Sequence, residues 1–430
     1  MKNNYQLALN GGKKLITKKF KRFNTYDTKE KDAANKVIKS GILSQYIAAP
    51  GNFFDGGTYV KKFEKKIEKY FKVKKAILVN SWTSGLIAAI GALDVEPGDE
   101  IITAPWTMCA TATAILHWNC IPIFADIESD TFCIDPQSVE KLITKKTKAI
   151  LSVDIAGQSA DMISLRKIAK KYNIKIISDS AQAPGSIYHK KYTGTISDIG
   201  GFSLNYHKHI HTGEGGILVT NNLKLARRMS LIRNHAEAGI LRNDKLNNMI
   251  GFNFRLGEIE ASMGIEQLKK LKSIVKSRQQ VANKINKELK KLSGLTIPKV
   301  RDMCTHVYYV YQMKIDENKT GVSRDLIHKA LVAEGIEYLG TKFSNLHLMP
   351  LYQNKLAYGS KGFPWNLNKS KNKVSYKKGI CPVAENLHDK TYIGFQMCQF
   401  EMSKKETELF INAFKKVWKN LDELKYKKKI

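Results

Sequence analysis

Short apolar segments alternate with helical segments from residue 75 to residue 220. The segment "KKAILVN" predicts a buried strand, and "SWTSGLIAAIGAL" after it predicts a helix that opens on small residues. The alternation continues through "DEIITAPWTM", "IPIFADI", "KAILSVDIAG" and "IKIISDSAQAPG". This pattern predicts an α/β fold with a mostly parallel sheet that is covered on both faces. Ligands bind beyond the carboxyl ends of such strands, so we look for chemistry in the polar residues there.

The pattern changes near residue 267. The segment "EQLKKLKSIVKSRQQVANKINKELKKL" predicts one long amphipathic helix, and "HVYYVYQMKID" alternates like a half-solvated strand. We therefore predict a large domain with an N-terminal arm over residues 1–285 and a smaller C-terminal α+β domain over residues 286–430. Residues 352–379 are predicted to form a surface loop.

The charge balance limits the possible partners. The 430 residues contain 71 Lys and Arg against 39 Asp and Glu, a net charge of +32. Because the lysines are spread over helical surfaces, this charge favours an anionic small substrate over a nucleic-acid partner. There is no apolar run long enough for a signal peptide or a membrane span, and the six cysteines form no CxxC pair. We expect a cytoplasmic protein with reduced thiols and no membrane contact.

The segment "FSLNYHKHIHTGEGG" places three alternating histidines around Lys208. A metal site is disfavoured, because a strand advances about 6.5 Å for every two residues and no acidic residue follows until Glu214. The "GEGG" turn lacks the Lys-Ser/Thr pair of a P-loop. We therefore predict no metal, and Lys208 remains the candidate for chemistry, with an ordinary surface lysine as the alternative.

Eight segments in order carry a resemblance to a known family. They are "NSWTSGL", "GDEIITAPWTMCATATAIL", "PIFADIESDTFCIDP", "TKAILSVDIAGQSADM", "SDSAQAPGS", "FSLNYHKHIHTGEGGILVTN", "IRNHAE" and "GFNFRLGEIEASMGIEQL". From about Leu43 to Leu271 the chain resembles the DegT/DnrJ/EryC1/StrS family of pyridoxal-phosphate-dependent sugar aminotransferases. The resemblance implies the type I aspartate aminotransferase fold, pyridoxal 5'-phosphate as cofactor, and a homodimer with active sites at the subunit interface.

The resemblance also implies roles for single residues near the cofactor ring. Lys208 matches the lysine that forms an imine with the cofactor aldehyde and then moves protons as a free amine. Asp179 matches the aspartate that pairs with the pyridine nitrogen, although an aspartate after a strand is also typical of a turn or cap. Gln182 matches a residue near the ring hydroxyl and has a structural alternative.

Other matches concern the cofactor phosphate. Thr83, Ser84 and Ser203 match its ligands, and Asn253 in "GFNFR" matches a residue that the partner subunit contributes. Without the resemblance, Thr83 and Ser84 would be interpreted equally well as a helix N-cap.

Two residues depart from the family pattern. Met108 stands where most members carry an aromatic residue that stacks on the cofactor ring, and Trp106 lies two positions earlier. Trp82 stands where glycine is usual. A thioether also packs on an aromatic face, so these departures predict a pocket of different shape rather than a lost function. Roles for the histidines stay open, and His207 and His209 are candidates for proton transfer or substrate contact.

The resemblance implies transfer of an amino group from glutamate or glutamine to the ketone of a nucleotide-linked or otherwise phosphorylated sugar, or of a keto-cyclitol. A sugar dehydratase of the same family is the alternative enzyme, but it typically has histidine in place of the lysine. From their position after the domain boundary alone, we consider His347, Tyr352 and the loop around Trp365 as further substrate contacts.

Overall fold

A computed structural model describes residues 6–237, 249–367 and 374–425. Seven strands form its large sheet in the order β1, β9, β8, β5, β4, β2, β3. Strands β8, β5, β4, β2 and β3 are parallel, and β9 runs antiparallel to both of its neighbours, β8 and β1. The bounds are β1 Lys75–Val79, β2 Glu100–Thr103, β3 Ile121–Phe124, β4 Thr147–Val153, β5 Lys175–Asp179, the hairpin β6 Ile187–Tyr188 and β7 Lys191–Tyr192, β8 Ile199–Ser203, and β9 Gly216–Thr220.

Helices cover both faces of the large sheet, because successive side chains of each strand point to opposite faces. Ile77 of β1 packs in the core beneath one set of helices, and its neighbour Leu78 packs in the core on the other side. The helices of this region are α1 Thr28–Ser40, α2 Thr58–Phe71, α3 Trp82–Gly91, α4 Ala110–His117, α5 Pro136–Lys141, α6 Met162–Tyr172, α7 Leu223–Arg233 and the long α8 Glu258–Leu289.

A four-stranded antiparallel sheet follows α8, in the order β10, β11, β13, β12. Its core includes Leu7, Ile16 and Phe20, so the N-terminal arm packs against the C-terminal region. The elements are β10 Leu295–Thr296, β11 Tyr311–Ile315, α9 Glu317–Thr320, α10 Arg324–Ala333, β12 Leu339–Gly340, α11 Pro350–Gln353, α12 Pro382–Asn386, β13 Tyr392–Phe395, α13 Lys404–Lys419 and α14 Leu421–Lys425. Short 3-10 turns lie at Ala8–Asn10, Ile155–Gly157, Leu346–Leu348, Trp365–Leu367 and Met397–Gln399, and a π turn lies at Leu387–Thr391.

The segment that was predicted as a surface loop, 352–379, is partly core. Trp365 and Tyr376 are buried against the large-sheet core, where the indole of Trp365 donates to the Tyr376 hydroxyl at 2.8 Å. The loop prediction was therefore wrong for these two residues, and residues 368–373 of the segment lie outside the described ranges. The domain boundary near residue 285 falls inside α8 and stays a prediction. Across the three described ranges, no helix is both long enough and apolar enough to cross a bilayer.

Candidate active site

A cavity of about 660 Å³ opens at the carboxyl ends of the parallel strands. This is the edge of the sheet at which ligands of α/β folds bind, and the volume suits a cofactor together with a small substrate. Six of the eight predicted site residues line it, namely Thr83, Met108, Asp179, Gln182, Ser203 and Lys208.

Lys208 lies in the connection between β8 and β9, and its amine is buried in the cavity wall. Its Nζ donates to the hydroxyl of Tyr309 at 3.3 Å and lies 4.3 Å from the centre of the same ring. Burial lowers the pKa of Lys208 to about 8, while Cys398 and Asp179 act in the opposite direction. About a tenth of the amine is therefore neutral at pH 7, and the neutral form is the one that acts as a nucleophile.

Asp179 ends β5 and accepts three hydrogen bonds, one from the amide of Ala181 at 3.3 Å and two from side chains. The indole Nε1 of Trp82 donates to Oδ1 at 2.7 Å, and Oγ1 of Thr111 donates to Oδ2 at 2.9 Å. Burial raises the pKa of Asp179, and these two hydrogen bonds counteract the rise. The carboxylate thus has a fixed position in the cavity wall, where the charge of Lys208 also lowers its pKa.

The first turn of α3 forms one end of the cavity. Ser81 caps this helix by accepting from the amide of Ser84 at 3.0 Å, and the first two helical amides, of Trp82 and Thr83, have no partner within the described chain. Free amides at a helix N-terminus bind phosphate. The hydroxyl of Ser84 donates to Oδ1 of Asn80 at 2.7 Å. Ser84 is not one of the described residues that line the cavity.

Ser203 ends β8, next to that helix terminus in the cavity lining. Its hydroxyl oxygen accepts from the amide of Asn205 at 3.2 Å, which leaves the hydroxyl proton for a ligand. Gln182 is fixed in a similar way, because its Oε1 accepts from the amide of Ala156 at 2.8 Å and its NH₂ group remains as a donor. Ala156 adopts a left-handed conformation (φ 59°), so the amide that orients Gln182 belongs to a strained turn.

The outer part of the cavity is exposed and largely apolar. Met108 is 58% exposed and Tyr206 is 64% exposed, although both line the cavity. Trp106 does not line it, because its ring is fully buried between Phe132 and Phe343. Met108 is therefore the residue that the chain offers at the position of the expected stacking ring.

The three alternating histidines diverge. His207 lines the cavity, and burial lowers its pKa to about 4. His209 is fully buried, with Nε2 donating to the carbonyl of Val307 at 2.9 Å, and His211 packs against Tyr26 with the ring centres 4.7 Å apart. Within the described ranges no group of three His, Cys, Asp or Glu side chains is placed to hold a metal ion.

Asn253 is exposed and does not line the cavity of its own chain, as the structure describes it. The suggested substrate contacts from the C-terminal region are also absent from the described lining. His347 is fully buried and pairs with Glu385 at 2.9 Å, and Tyr352 packs in the same core as Trp365. The interpretation of His347, Tyr352 and Trp365 as substrate contacts was wrong, because a polar or aromatic side chain near a predicted boundary can equally satisfy a core. Residues 368–373 of the loop around Trp365 lie outside the described ranges.

Sequence reasoning missed three contacts in the site. Tyr309 meets Lys208 across 101 positions of sequence, and Trp82 and Thr111 meet Asp179 across 97 and 68 positions. The presence of Trp82 in place of the usual glycine was the sequence signal that could have drawn attention to this residue. Tyr309 carried none, because it is one of three tyrosines in an alternating segment.

Comparison with known proteins agrees with this geometry. Residues 42–386 match the DegT/DnrJ/EryC1/StrS aminotransferase family. The chain is 34% identical over 298 residues to GDP-perosamine synthase of Caulobacter vibrioides, covering 69% of this chain and 79% of that protein. It is also 34% identical over 337 residues to UDP-4-amino-4,6-dideoxy-N-acetyl-beta-L-altrosamine transaminase of Helicobacter pylori, covering 77% and 84%. The solved Helicobacter pylori PseC, an aminotransferase involved in the biosynthesis of pseudoaminic acid, superposes with a TM-score of 0.76 at 28% identity, covering 94% of this chain and all of that one.

The fold and the site thus define an aminotransferase of the pyridoxal type I architecture. This chain belongs to the DegT/DnrJ/EryC1/StrS aminotransferase family. The predicted family, the predicted fold and the predicted class of enzyme are confirmed, and the relatives are sugar aminotransferases.

Proposed function

We propose that this aminotransferase binds pyridoxal 5'-phosphate in the described cavity. It transfers an amino group from glutamate or glutamine to the ketone of a sugar that is linked to a nucleotide. The observation that carries the proposal is the buried amine of Lys208, which faces the same cavity as the carboxylate of Asp179. An amine for a carbonyl and a carboxylate for a ring nitrogen are the two groups that this cofactor requires of a protein.

The remaining donors fit the cofactor as well. The free amides of Trp82 and Thr83 and the hydroxyl of Ser203 suit its phosphate, and the amide of Gln182 suits its ring hydroxyl. When bound, the cofactor supplies an electron sink that makes a proton on the neighbouring carbon acidic. The role of Met108 is to cover the outer face of the ring with a thioether.

Lys208 would act as the acid and base of both half-reactions. Its lowered pKa leaves about a tenth of the amine neutral at pH 7 and able to accept a proton, and the flexible side chain can deliver that proton to a second atom nearby. Asp179 keeps its charge beside the ring nitrogen, and burial of both groups excludes water from the charges. Tyr309 fixes the amine by its hydrogen bond.

A homodimer and a cytoplasmic location belong to the same proposal. The cavity is open and apolar at Met108 and Tyr206, and Asn253 is exposed outside it, which suits a second copy that supplies Asn253 across an interface. All six cysteines are free, the state that the reducing cytoplasm maintains. The net charge of +32 favours an anionic acceptor such as a sugar nucleotide.

Borohydride labelling tests the covalent role of Lys208. The purified protein with added cofactor is reduced with sodium borohydride, and peptide mass spectrometry locates the cofactor mass. We expect the label on the peptide that contains Lys208, loss of the label in Lys208→Arg, and an unchanged label in the control Lys270→Arg, which replaces a lysine outside the cavity. A label that persists in Lys208→Arg would remove the central claim.

A second measurement separates amino transfer from dehydration. Glutamate or glutamine alone should convert the cofactor to its aminated form, and a keto-sugar nucleotide should then reverse this change and gain nitrogen by mass. Loss of water from the sugar together with release of free ammonia would favour the dehydratase instead.

A further inference from the structure

The indole of Trp82 forms a hydrogen bond with Asp179, one of the two residues, with Lys208, on which the proposed function depends. Its Nε1 donates to Oδ1 of Asp179 at 2.7 Å, and Thr111 donates to Oδ2 at 2.9 Å. Trp82 begins α3 and Thr111 lies in α4, so two helices hold the two oxygen atoms of one carboxylate. The carboxylate cannot rotate without breaking one of these hydrogen bonds.

The protons of this cluster all point toward Asp179. An indole N–H is a donor only, and the single proton of the Thr111 hydroxyl is used for Oδ2. The contact of 3.1 Å between Thr107 and Thr111 therefore has Thr107 as its donor. If Asp179 were protonated, its own O–H would face groups that are already donors. The arrangement therefore suits the ionised form of Asp179.

The indole has a space shaped for it. A Cβ atom added at Gly201 would lie 2.1 Å from the six-membered ring of Trp82, and one added at Gly85 would lie 2.7 Å from it. The Gly201 position is also closed by the carbonyl of Ile217, at 2.1 Å. Trp82 is only 6% exposed, so its position is determined by packing as well as by its hydrogen bond.

We infer that Trp82 is a positioning residue, which holds the carboxylate of Asp179 ionised and correctly oriented for the ring nitrogen of a bound cofactor. The inference rests on the proposed function for the role of Asp179, whereas the contact between Trp82 and Asp179 does not depend on it. Thr111 performs the same task on the other oxygen atom.

Two charged groups face Asp179 from other elements. Lys208, between β8 and β9, lowers the pKa of Asp179 by its charge, and Asp154, just after β4, interacts with Asp179 as a like charge. Burial raises the pKa of Asp154 to about 7, so Asp154 is mostly neutral on the acid side of that value. The effect of Trp82 is therefore measured most cleanly below pH 7.

The experiment compares Trp82→Phe with Trp106→Phe. Each variant loses one indole N–H and the same volume from a buried site, but the Nε1 of Trp106 has no hydrogen-bond partner within the described chain. Thr111→Val removes the second donor and serves if Trp82→Phe does not fold. The first readout is carbon-13 NMR of labelled aspartate in the cofactor-free protein, and the second is the pH profile of kcat/KM for the loaded enzyme.

We expect Asp179 to titrate at a higher pH in Trp82→Phe and in Thr111→Val, and the acid limb of kcat/KM to move in the same direction. Since a hydrogen bond to a charged group is lost, kcat should fall about tenfold or more. Trp106→Phe should leave both profiles in place. If Trp82→Phe and Trp106→Phe give the same Asp179 titration, the inference is wrong. If the titration moves but the acid limb does not, Trp82 acts on Asp179 and the proposed role of Asp179 toward the cofactor fails instead.

Discussion

The floor and the mouth of the cavity are built differently. The floor consists of five buried residues in two hydrogen-bonded groups, Trp82 and Thr111 with Asp179 and Lys208 with Tyr309, at distances of 2.7 to 3.3 Å. The mouth consists of Met108, Tyr206 and Tyr338, which are 58%, 64% and 43% exposed. One chain thus fixes the groups for chemistry, while it leaves the boundary around the substrate open.

This difference assigns separate tasks to the two regions. Polar groups with fixed partners in a buried floor cost no reorganisation during the reaction, which is where rate is gained. Exposed apolar residues at a mouth gain stability only when something covers them, either a second copy or the substrate. Changes in the floor should therefore affect rate and protonation, and changes in the mouth should affect assembly and affinity.

The largest effect is expected for Asp179→Asn in the floor. Asparagine keeps the size of the side chain but loses the charge that the ring nitrogen needs, so kcat should fall about a thousandfold, equivalent to about 4 kcal/mol. Steady-state kinetics measures this, with the exposed Asp302→Asn as the control. A kcat within fivefold of the original value would show that Asp179 serves only the fold.

The residues that sequence reasoning placed in the cavity share one property: they follow strands or begin helices of an alternating pattern. The family resemblance predicted Lys208, Asp179, Ser203 and Thr83 as site residues, and they lie in one cavity because the carboxyl ends of parallel strands meet at one edge. Tyr309 could not, because its approach to Lys208 depends on how the region after α8 packs back on the large sheet. A local period determines which face of an element is apolar, but not which distant element covers that face.

The second prediction concerns the stability of the cofactor-free protein. A lysine pKa that falls from 10.5 in the unfolded chain to about 8 in the fold corresponds to a cost of about 3 kcal/mol below pH 8. The unfolded chain binds the proton first as the pH falls from 10.5, so the cost develops between pH 10.5 and pH 8 and is absent above that window. Lys208→Met removes the cost and also the bond to Tyr309, which is worth about 1 kcal/mol.

Urea unfolding checks this expectation at several pH values. Lys208→Met should be more stable than the original protein by about 2 kcal/mol at pH 7 and should lose that advantage near pH 10.5. Lys270→Met, which removes the ion pairs of Lys270 with Asp27 and with buried Glu30, should show no such gain. If the stability advantage of Lys208→Met does not change with pH, the lowered pKa of Lys208 is contradicted.

The third prediction concerns the interface of the proposed homodimer. Exposed apolar side chains cluster between residues 38 and 53, namely Ile38, Ile42, Leu43, Ile47 and Phe53. If a second copy covers them, Ile42→Asp buries a charge there and should cost about 2 kcal/mol, or a dimer about thirtyfold weaker. Sedimentation velocity over a range of concentrations measures this. The matched control is Ile163→Asp on α6, at a residue that is 55% exposed outside this cluster, and equal effects of both variants would argue against this interface.

The smallest effect is expected at Met108 in the mouth. Its side chain is 58% exposed, so substitutions there should change the free energy of unfolding by no more than about 0.5 kcal/mol. An aromatic ring stacked on the cofactor gains about 1 kcal/mol, so Met108→Phe should bind pyridoxal phosphate about fivefold more tightly. Met108→Leu keeps the size but loses the sulfur contact, and it should bind about twofold to threefold more weakly. Fluorescence titration of the cofactor-free variants gives the dissociation constants.

Because kcat is determined by the floor, both variants should keep it within about twofold. Equal affinities for all three proteins would mean that Met108 does not lie on the ring, and a large loss of kcat would mean that the mouth and the floor are not separate.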